Sequence, residues 1–446
     1  MFTNESILLK KGWRSDRFWT HPIAFKSFLK FIPLYFDTRA LMKSQFWPRE
    51  KLDRYQDARL LELFRDAKRV PYWRDLLEKV GVDHLTPREV LARMPIISKQ
   101  QLVQQPPADI TDESLIERSD EDHTSGSTGI PFHFYHDWHA SLRSFAITER
   151  IFRTLIAKRF PIVYMRARPR NGFTFYRHFW FFLRSYNSMH HRLEELKELA
   201  QQFPAGFILY GYTSWIVEAA RQMEKNDIKL PIRNVVVAGE HLIAHDRSYI
   251  ERIMKTELFT LYASREAGFL GYECERHTMH LSEEWAYVEV VDIDNRPLPS
   301  GKEGRIVVTT FDNRVMPFIR YDIGDIGVLS DTPCACGRTL RTLTFKGRTS
   351  ELINLDGRVV SLLDVAYALG AFKDSILQYQ LVQKGPMSFV VRVIPGLVFA
   401  DKKQHIEALL IRMLHPRVQI RWELTDTIPA SPNGKAIYFL REFNRV

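Results

Sequence analysis

Cysteine is scarce in this sequence, with 3 cysteines in 446 residues, and two of them, Cys334 and Cys336, are separated by one residue. So few thiols cannot form the disulfide framework that holds small secreted domains together. No uncharged apolar run reaches the roughly 18 residues that a membrane-spanning helix needs, because lysines and arginines interrupt the most apolar stretches. Residues 1–11 also lack the basic-then-apolar order of a secretory signal. These absences predict a protein of a reducing compartment, the cytoplasm, without a spanning helix.

Acidic residues are in deficit, since 63 Lys+Arg face 53 Asp+Glu and leave a net charge of +10 at pH 7. Such an excess favours anionic partners, namely nucleotides, CoA, nucleic acid or an acidic membrane surface, without choosing among them. The hydrophobic share of 45% and the charged share of 26% are ordinary for a globular protein. A chain of 446 residues exceeds the roughly 250 to 300 residues that one core supports, so two domains are expected.

The spacing of apolar residues changes along the chain. Helical spacing dominates the early part, and longer helices are predicted over Asp137 to Lys158 and His191 to Phe203. Strand-like runs follow, and a later hairpin around Asp356-Gly357 opens a segment of mixed strands and helices. The sequence therefore predicts an α/β protein with a large domain over residues 1–347 and a small α+β domain over residues 348–446.

A run of hydroxyl and glycine residues is the first chemical signal. Its backbone amides can approach a phosphate closely, and its hydroxyls can donate hydrogen bonds to phosphate oxygens. The same composition also suits an ordinary solvated turn. No Gly-Lys-Ser/Thr follows, which excludes a Walker loop. The run consists of Thr124, Ser125, Gly126, Ser127, Thr128 and Gly129.

Further segments follow this run in a defined order, and the ordered set resembles the adenylate-forming superfamily, specifically its phenylacetate-CoA ligase and capsular-biosynthesis branch. The resemblance extends from about residue 85 to the C-terminus. Each segment alone is a weak signal, whereas their order is specific. The further segments are Ala238-Gly239-Glu240, Tyr262-Ala263-Ser264-Arg265-Glu266, Tyr321-Asp322-Ile323-Gly324-Asp325, Gly347-Arg348 and Gly434-Lys435.

The resemblance implies a large multi-sheet N-terminal domain of αβαβα type and a small, mobile α+β C-terminal domain. The loop from Thr124 to Gly129 would hold the triphosphate of ATP, and Gly239 and Glu240 would lie beside the adenine. Tyr262 would stack on that ring. Asp325 would bind both ribose hydroxyls, since a carboxylate accepts two hydrogen bonds and donates none. The implied nucleotide-binding set is completed by Ala263, Ser264, Arg265 and Arg348.

The resemblance also implies three catalytic residues. Glu266 matches the family's magnesium-linked carboxylate, a hard oxygen ligand suited to an ion that also binds phosphate oxygens. Lys435 matches the lysine that bridges the substrate carboxylate and the α-phosphate, where a mobile ammonium stabilises a pentavalent phosphorus transition state. Thr128, from the phosphate loop, is the third. ATP and Mg²⁺ are therefore the implied cofactors.

This sequence departs from the family pattern at two places. Relatives usually carry Ser or Thr before the magnesium-linked carboxylate, where this chain has Arg265, which can itself bind phosphate but alters the geometry. The family's hinge carries an acidic residue two places after its arginine, whereas here Arg348 is followed by Thr349 and Ser350, with Glu351 one place late. The rotation of the small domain between the two half-reactions is therefore expected to differ.

All three cysteines fall in two short segments that also contain histidine. Thiolates with an imidazole form a tetrahedral set of soft ligands, and some relatives of this branch carry a metal at the matching positions. The predicted zinc ligands are Cys274, His280, Cys334 and Cys336, with His277 as the alternate fourth ligand. With no position left for water, the zinc would be structural and would fix the sheet edge near the nucleotide site. The alternative is a group of reduced, partly buried thiols.

Residues 166–184 interleave arginines with aromatic residues, and residues 25–36 place lysines among apolar side chains. Such patterns suit stacking on nucleic acid or binding at a membrane surface. The competing interpretation puts the aromatics, at near-helical spacing, in a core or acyl pocket, with the arginines facing solvent or CoA phosphates. The second interpretation is preferred, so no nucleic-acid partner is expected, and peripheral membrane contact stays open.

Three functional hypotheses follow from these features. The first is an ATP-dependent acid-CoA ligase, which activates a carboxylic acid to an acyl-AMP and transfers the acyl group to CoA. The resemblance to the family favours an aromatic acid. The second keeps the adenylation and transfers the acyl group to an amine or hydroxyl in polysaccharide or secondary-metabolite biosynthesis. The third is a binding protein that has lost catalysis, suggested by Arg265 and Ser350. A monomer or a homodimer is expected.

Overall fold

The computed structural model has an α/β fold with a large multi-sheet part and a smaller C-terminal α+β part, which confirms the predicted fold class. Among the residues described, no helix combines the length and the apolar character that crossing a membrane requires. The structure describes residues 36–124, 132–155, 160–165, 173–176, 178–183, 188–372, 374–429 and 436–443.

The helices that were predicted from apolar spacing are present with slightly different ends. The prediction over Asp137 to Lys158 corresponds to a helix over Trp138–Leu155, and that over His191 to Phe203 to a helix over Met189–Gln202. The α-helices are Arg49–Ala67, Pro71–Val80, Pro87–Arg93, Lys99–Val103, Pro107–Ile110, Glu113–Ile116, Trp138–Leu155, Met189–Gln202, Thr213–Lys225, Ala244–Met254, Leu362–Gly370 and Phe399–Leu414.

The strands are numbered here in chain order. They are β1 (Ile97–Ser98), β2 (Ser119–Thr124), β3 (Phe132–Asp137), β4 (Ile162–Tyr164), β5 (Phe173–Tyr176), β6 (His178–Phe182), β7 (Phe207–Gly211), β8 (Ile232–Ala238), β9 (Leu258–Ser264), β10 (Gly268–Glu273), β11 (Met279–Leu281), β12 (Ala286–Val291), β13 (Glu303–Thr310), β14 (Tyr321–Ser330), β15 (Thr342–Arg348), β16 (Leu352–Leu355), β17 (Arg358–Ser361), β18 (Ile376–Gly385), β19 (Ser388–Pro395), β20 (Gln419–Leu424) and β21 (Phe439–Arg441).

One sheet of thirteen strands dominates the large part, in the order β12-β13-β14-β15-β11-β10-β9-β8-β7-β4-β6-β5, with β1 added beside β14. Strands β4, β7, β8 and β9 are parallel, and helices connect β7 to β8 and β8 to β9. Strands covered on both faces have continuous apolar runs. Val235, Val236 and Val237 of β8 are fully buried accordingly, and β8 leads directly to the Ala238-Gly239-Glu240 motif.

The strand that carries the ribose motif, β14, is held at its start by a buried arginine. Arg320, 2% exposed, donates to the Met94 carbonyl (2.8 Å) and pairs with Glu289 (3.1 Å). Its own carbonyl accepts the Ile97 N–H (3.0 Å), which begins the pairing of β1 with β14. Removing one partner of a buried ion pair typically costs about 3–5 kcal/mol. This network therefore fixes the position of Tyr321 and the motif that follows it.

The smaller part begins after β15. Its hairpin, β16–β17, turns at Asp356-Gly357, where both residues have positive φ (54° and 85°), as the sequence predicted. A four-stranded sheet in the order β20-β19-β18-β21 packs against two helices. The predicted domain boundary, between residues 347 and 348, lies at the end of β15. That boundary remains a prediction.

Candidate active site

Asp325 lies on β14 opposite Arg348 of β15, and its side chain is almost completely buried. Its Oδ2 accepts a hydrogen bond from the Tyr262 hydroxyl (2.8 Å), and the Arg348 Nε lies 3.2 Å from Oδ1. Burial raises the pKa of Asp325, although the Arg348 charge acts in the opposite direction. Within the described part of the chain, Oδ1 accepts no well-directed hydrogen bond. Oδ1 is itself buried, so its compensation within the described residues is the charge of Arg348.

Tyr262, on β9, is oriented by that hydrogen bond. Burial, with the nearby Asp325 charge, raises the pKa of the Tyr262 phenol well above its usual value, so the phenol remains a donor at neutral pH. The Tyr262 ring lies 6.0 Å from the Phe345 ring at 48°. Stacking of Tyr262 on an adenine remains a prediction. Phe345, from β15, is an aromatic neighbour that the sequence did not indicate.

The rest of the Tyr262 to Glu266 motif spans the end of β9 and the turn into β10. Ala263 pairs with Phe269 on β10, and the Ser264 hydroxyl oxygen accepts the Ala267 N–H (2.9 Å). Glu266 Oε1 accepts a hydrogen bond from Tyr321 (3.2 Å) at the start of β14. This contact places the predicted magnesium carboxylate beside the strand that carries the ribose motif.

Arg265 points to the hairpin β2–β3. Its Nη2 donates to both carboxylate oxygens of Asp122, at 2.8 and 2.9 Å, and the two residues are 46% and 37% exposed. Asp122 is two residues before Thr124, where β2 ends. The Lys99 ammonium donates to the Thr124 hydroxyl. Ser125 to Gly129, including Thr128, lie outside the described residues.

Gly239 follows β8 with φ +78°, a conformation that favours glycine. Glu240 then accepts hydrogen bonds from the Ser214 N–H (2.7 Å) and the Ser214 hydroxyl (3.0 Å), at the N-terminus of the helix Thr213–Lys225. It also accepts the Ala436 N–H (3.2 Å) from the smaller part. Lys435 itself lies outside the described residues, and its role remains a prediction.

The expected hinge contains a contact that the sequence pattern did not indicate. After Arg348, the residues Thr349–Glu351 form a 3-10 turn. The Thr349 hydroxyl donates to the Gly324 carbonyl (3.1 Å), one residue before Asp325. Burial raises the pKa of Glu351, while the Arg348 charge lowers it. The segment that departs from the family pattern is thus hydrogen-bonded to the ribose motif.

Sequence reasoning missed Lys99 and Asp122. Lys99 begins a helix whose start was readable, because Ser98 and Gln101 form a capping box. Its contact with Thr124, 25 residues away, joins this helix to the end of β2 and has no local signal in the sequence. Asp122 belongs to an acidic strand that resembles a solvated surface. No local pattern indicated a partner for either side chain.

The predicted zinc ligands converge. The donor atoms of Cys274, His280, Cys334 and Cys336 all lie within 4.8 Å of one another. Cys274 Sγ is 3.9 Å from Cys334 Sγ, and Cys336 Sγ is 3.3 Å from His280 Nε2. A tetrahedral zinc with ordinary bond lengths would separate two sulfurs by about 3.8 Å and a sulfur from a nitrogen by about 3.6 Å. The four residues therefore fit zinc in chemistry and spacing.

A hydrogen bond orients the histidine of this cysteine cluster. His280 Nδ1 lies 3.0 Å from the Leu340 carbonyl, which leaves Nε2 facing the thiols, as is usual for a metal-ligating histidine. His277, the alternate ligand, lies outside the group of four. Its ring stacks on Phe259 (5.4 Å, 22°) and its Nδ1 is 3.2 Å from an Arg247 nitrogen.

The cysteine cluster was expected at a sheet edge near the nucleotide site, and the edge placement is wrong. The strands β10 and β11 lie inside the sheet, between β9 and β15. Cys274 follows the end of β10, whereas Glu266 precedes its start, and six extended residues span about 20 Å. Gly271, three residues before Cys274, pairs with Tyr262 of β9. The nearness of the cluster to the nucleotide site remains a prediction.

The near-helical spacing assigned to the aromatic and basic segment is also wrong where the backbone is described. Residues 173–176 and 178–182 form β5 and β6, an antiparallel pair at the end of the large sheet. Residues 166–172, 177 and 184 lie outside the described residues, as do 25–35 of the apolar N-terminal stretch. The proposed membrane contact remains untested.

No family model matches this chain. Phenylacetate-coenzyme A ligase from Thermus thermophilus is 29% identical in an alignment of 362 residues that covers 75% of this chain and 79% of that protein. The amide bond synthetase McbA from Marinactinospora thermotolerans is similar in structure, with a TM-score of 0.53 and 16% identity over 72% of this chain and 67% of McbA.

A third relative, 2-hydroxyisobutyryl-CoA ligase, has been solved in more than one state. Its postadenylation state with 2-HIB-AMP gives a TM-score of 0.75, with 18% identity over 90% of this chain and 91% of that chain. Its thioesterification state with 2-HIB-AMP and CoA gives 0.60, with 18% identity over 90% of this chain and 92% of that chain. These likenesses support the adenylate-forming fold of this chain.

Proposed function

We propose that this chain, a homologue of phenylacetate-CoA ligase with the adenylate-forming fold, uses ATP to convert a carboxylic acid to an acyl-AMP and then transfers the acyl group to CoA. The family recognition and the fold rest on the comparisons with phenylacetate-CoA ligase and 2-hydroxyisobutyryl-CoA ligase. The observation that carries the proposal is a connected set of contacts among segments far apart in sequence. Asp325 contacts Tyr262 and Arg348, and Tyr321, on the same strand, contacts Glu266.

Each segment of this set has a proposed part in binding ATP. Asp325 would accept hydrogen bonds from the ribose hydroxyls, because its Oδ1 is the acceptor left without a well-directed donor. Gly239 and Glu240 would border the adenine, with Tyr262 stacked on it. The phosphate loop would begin at Thr124, whose hydroxyl is held by Lys99. Ala263, Ser264 and Arg348 would complete the binding surface.

Glu266 fits a magnesium ligand in chemistry. Its Oε1 accepts the Tyr321 hydroxyl, and in the part of the chain that is described no hydrogen bond reaches Oε2. A carboxylate oxygen is a usual ligand for Mg²⁺, which is also held by phosphate oxygens in such sites. When bound, the ion would neutralise phosphate charge during adenylation. Burial lowers the pKa of Lys99, and the Glu266 charge opposes that shift.

Lys435 is the proposed catalytic lysine, with Thr128 and Glu266 as the other catalytic residues. The N–H of the next residue, Ala436, donates to Glu240, so the described end of that segment lies at the proposed adenine motif. In adenylation a carboxylate oxygen attacks the α-phosphorus, and pyrophosphate leaves with the electrons of the broken P–O bond. An ammonium that reaches the α-phosphate would stabilise the charge that develops there.

Zinc is proposed as a structural ion held by Cys274, His280, Cys334 and Cys336. Four protein ligands leave no position for water, which excludes the usual catalytic geometry for zinc. The proposed zinc site joins the turn after β10 and β11 to the loop between β14 and β15. It would therefore hold the middle of the large sheet together rather than take part in the reaction.

The test is carboxylate-dependent exchange of labelled pyrophosphate into ATP over a panel of acids, followed by product analysis with and without CoA. Aromatic acids come first, because the relative phenylacetate-coenzyme A ligase is named for an aromatic acid. We expect exchange with at least one acid and an acyl-CoA product. A protein that binds ATP but exchanges with no acid would be a binding protein, and acid-dependent AMP release to an amine without CoA would identify the second acceptor class.

A further inference from the structure

The small sheet of the C-terminal part ends in a strand whose outer edge is open. In the order β20-β19-β18-β21, β20 is an edge strand, and no other strand in the described part of the chain pairs with its outer side. An edge strand exposes a row of N–H and C=O groups that can pair with another chain, and proteins often block such edges with proline or a bulge. The strand Gln419–Leu424 contains no proline, and its register with β19 is regular.

The pairing with β19 identifies the backbone groups that face outward. Gln419, which begins β20, and Thr425, which follows it, both donate their N–H to carbonyls on the β19 side, at 2.8 and 3.0 Å. Backbone groups of successive residues in a strand point in alternate directions. The N–H and C=O groups of Ile420, Trp422 and Leu424 therefore point to the free edge.

One face of β20 is apolar. The Trp422 ring lies 5.4 Å from the ring of Phe399, at the start of a helix, and its indole N–H donates to Glu407 of the same helix (2.7 Å). Ile420 and Leu424 are on the same face, because they are two residues from Trp422 in either direction. Leu424 is 60% exposed, so this apolar face is incompletely covered within one chain.

The other face of β20 carries opposite charges on the two sides of Trp422. Arg421 is exposed, and among the residues that the structure describes it forms no ion pair. Glu423 pairs with Arg392 of β19 (3.2 Å), and its side chain is still 43% exposed. The strand thus presents one cation and one anion at equal distances from its central residue.

A second copy of this chain fits the free edge in one antiparallel register. Residues whose backbone groups face outward must oppose each other for the hydrogen bonds to form. With Trp422 on a two-fold axis, Ile420 opposes Leu424 of the other copy. The same register sets Arg421 opposite Glu423 on both sides of the axis, and such opposite charges stabilise a strand pair. An axis at Arg421 or at Glu423 would also allow the hydrogen bonds, but it would set two like charges against each other.

We infer that two copies of this chain associate through β20, in the antiparallel register centred on Trp422, so that their small sheets join into one. A two-fold axis makes this contact self-complementary and closes it as a dimer. The opposite edge of the sheet is β21, next to the segment in which the Ala436 N–H donates to Glu240 of the large part. The contact is therefore remote from that segment, and the inference does not depend on the proposed function.

The experiment is sedimentation equilibrium of the full chain over a range of concentrations. A pair of short strands forms a small interface, so we expect a dimer with a dissociation constant of about 1–100 µM. Arg421→Glu should weaken the dimer about 10- to 100-fold, because two attractive charge pairs become repulsive. Glu423→Arg should weaken it by a similar factor for the same reason. Thermal unfolding checks that each variant is folded.

A mixture of the two variants tests the register. The Arg421→Glu copy carries carboxylates at both positions and the Glu423→Arg copy carries guanidinium groups at both, so a mixed dimer again has opposite charges throughout. The equimolar mixture should sediment as a dimer at concentrations at which each variant alone is monomeric. Arg358→Glu is the matched control, since it makes the same charge change at an exposed residue of β17, and it should dimerise like the wild type.

Leu424→Pro tests the hydrogen bonds without changing a charge. It removes an N–H that faces the free edge and leaves the pairing with β19 intact, as proline does on an edge strand. We expect the dimer to weaken about 10-fold or more. In the wild type, amide hydrogen exchange over Gln419–Leu424 should slow as the protein concentration rises, because the outward N–H groups become hydrogen-bonded in the dimer.

A wild type that stays monomeric up to about 500 µM overturns the inference. A dimer that neither Arg421→Glu nor Leu424→Pro weakens also overturns it, because the contact would then be on another surface. An equimolar mixture of the two charge variants that stays monomeric rejects the register. Slow exchange of the outward N–H groups in a monomer would show that another segment of the same chain, such as residues 1–35, covers the edge, and it would likewise reject the dimer.

Discussion

At the scale of single residues, Asp325 occupies a position that burial makes unfavourable for a charge. Its carboxylate is compensated by one hydroxyl and one guanidinium, yet burial still raises its pKa. Burying a carboxylate without a full set of hydrogen-bond donors lowers the stability of a folded protein. Carboxylates with raised pKa values are therefore found more often at functional sites. In the proposed function, the two hydroxyl groups of a bound ribose would donate further hydrogen bonds to this carboxylate.

The raised pKa of Asp325 predicts a pH dependence of adenosine binding. If the ionised carboxylate accepts the ribose hydroxyls as proposed, adenosine affinity is present above the folded pKa and is lost as pH falls through it. Because that pKa is raised, the loss begins at a higher pH than an ordinary aspartate would give. Adenosine is the suitable ligand, since it has no phosphate to titrate. Calorimetry from pH 7 downward measures the effect.

Asp325→Asn is the matching variant. It should weaken adenosine binding at pH 7 about 10-fold or more. It should also remove the loss of adenosine affinity at low pH, because the amide does not titrate in this range. Asp294→Asn, at an exposed position, serves as control. An unchanged pH profile in Asp325→Asn would assign the titration to another group.

Lys435 gives a prediction that separates the two half-reactions. Lys435→Ala should reduce acid-dependent pyrophosphate exchange by about 100-fold or more, since an ammonium at the α-phosphate acts only in adenylation. Thioester formation from supplied acyl-AMP should be much less affected. Lys403→Ala, on the exposed side of the helix Phe399–Leu414, is the control. Equal loss of both steps would argue against the assigned role.

At the scale of secondary-structure elements, the site is built mainly from the strands β9, β14 and β15. The helix Thr213–Lys225 contributes a backbone N–H from its N-terminus, which binds Glu240. Strand β14, ten residues long, carries the whole motif from Tyr321 to Asp325. Its register with β15 brings Asp325 opposite Arg348. In the adjacent 3-10 turn, the Thr349 hydroxyl donates a hydrogen bond to the Gly324 carbonyl of β14. A shift of register by one residue would turn Asp325 to the other face of the sheet.

The cysteine cluster gives a prediction at this scale, because it joins the turn after β10, β11 and the loop between β14 and β15. Cys336→Ala should abolish stoichiometric zinc and lower the thermal midpoint by about 5 °C or more, since ligand loss removes a cross-link of the sheet. ATP affinity should stay within about twofold, because β10 separates the cluster from Glu266 by about 20 Å. Elemental analysis and thermal unfolding measure the two effects.

His277→Ala is the matched control for the cysteine cluster. His277 lies near the cluster but stacks on Phe259 outside it, so the variant should keep its zinc and its thermal midpoint. Wild-type protein purified without chelator that carries no stoichiometric zinc would contradict the site. Zinc lost from His277→Ala and retained in Cys336→Ala would contradict the ligand assignment.

At the scale of the whole molecule, the smaller part contacts one region of the large part. Glu240 accepts the Ala436 N–H, and His241 Nε2 lies 2.8 Å from the Tyr367 hydroxyl. Burial lowers the pKa of His241 to about 4, so this contact is neutral at pH 7. Both contacts lie at the proposed adenine motif, Gly239 and Glu240, or at its next residue.

Tyr367→Phe tests whether this contact favours the adenylation arrangement. Losing one hydrogen bond of about 0.5–1.5 kcal/mol should lower the rate of pyrophosphate exchange about 2- to 10-fold. The thioesterification rate from supplied acyl-AMP should be unchanged or higher, since that step uses the other arrangement. Tyr249→Phe is the control, because its hydroxyl binds Glu224 within the large part. A variant that slows both steps equally would show that the contact is only structural.

The α/β class, the order of the motifs, the resemblance to the adenylate-forming superfamily and the four residues of the cysteine cluster could be predicted from the sequence. Each motif can be recognised in the sequence because it is a contiguous segment whose residue types are set by local chemistry. The order of the motifs along the chain is also visible in the sequence alone. The α+β character of the last hundred or so residues followed from alternating apolar runs and a turn at Asp356-Gly357. These features depend on neighbours in sequence.

Which side chains meet depends on the three-dimensional fold. Asp122 and Arg265 are 143 positions apart, Tyr262 and Asp325 are 63 apart, and their contacts depend on strand register and on the packing of one hairpin against the sheet. The sheet order also places the strands β10 and β11 inside the sheet rather than at its edge. Strand pairing joins residues over distances that no local pattern encodes, because it minimises unpaired backbone groups and exposed apolar surface over the whole chain.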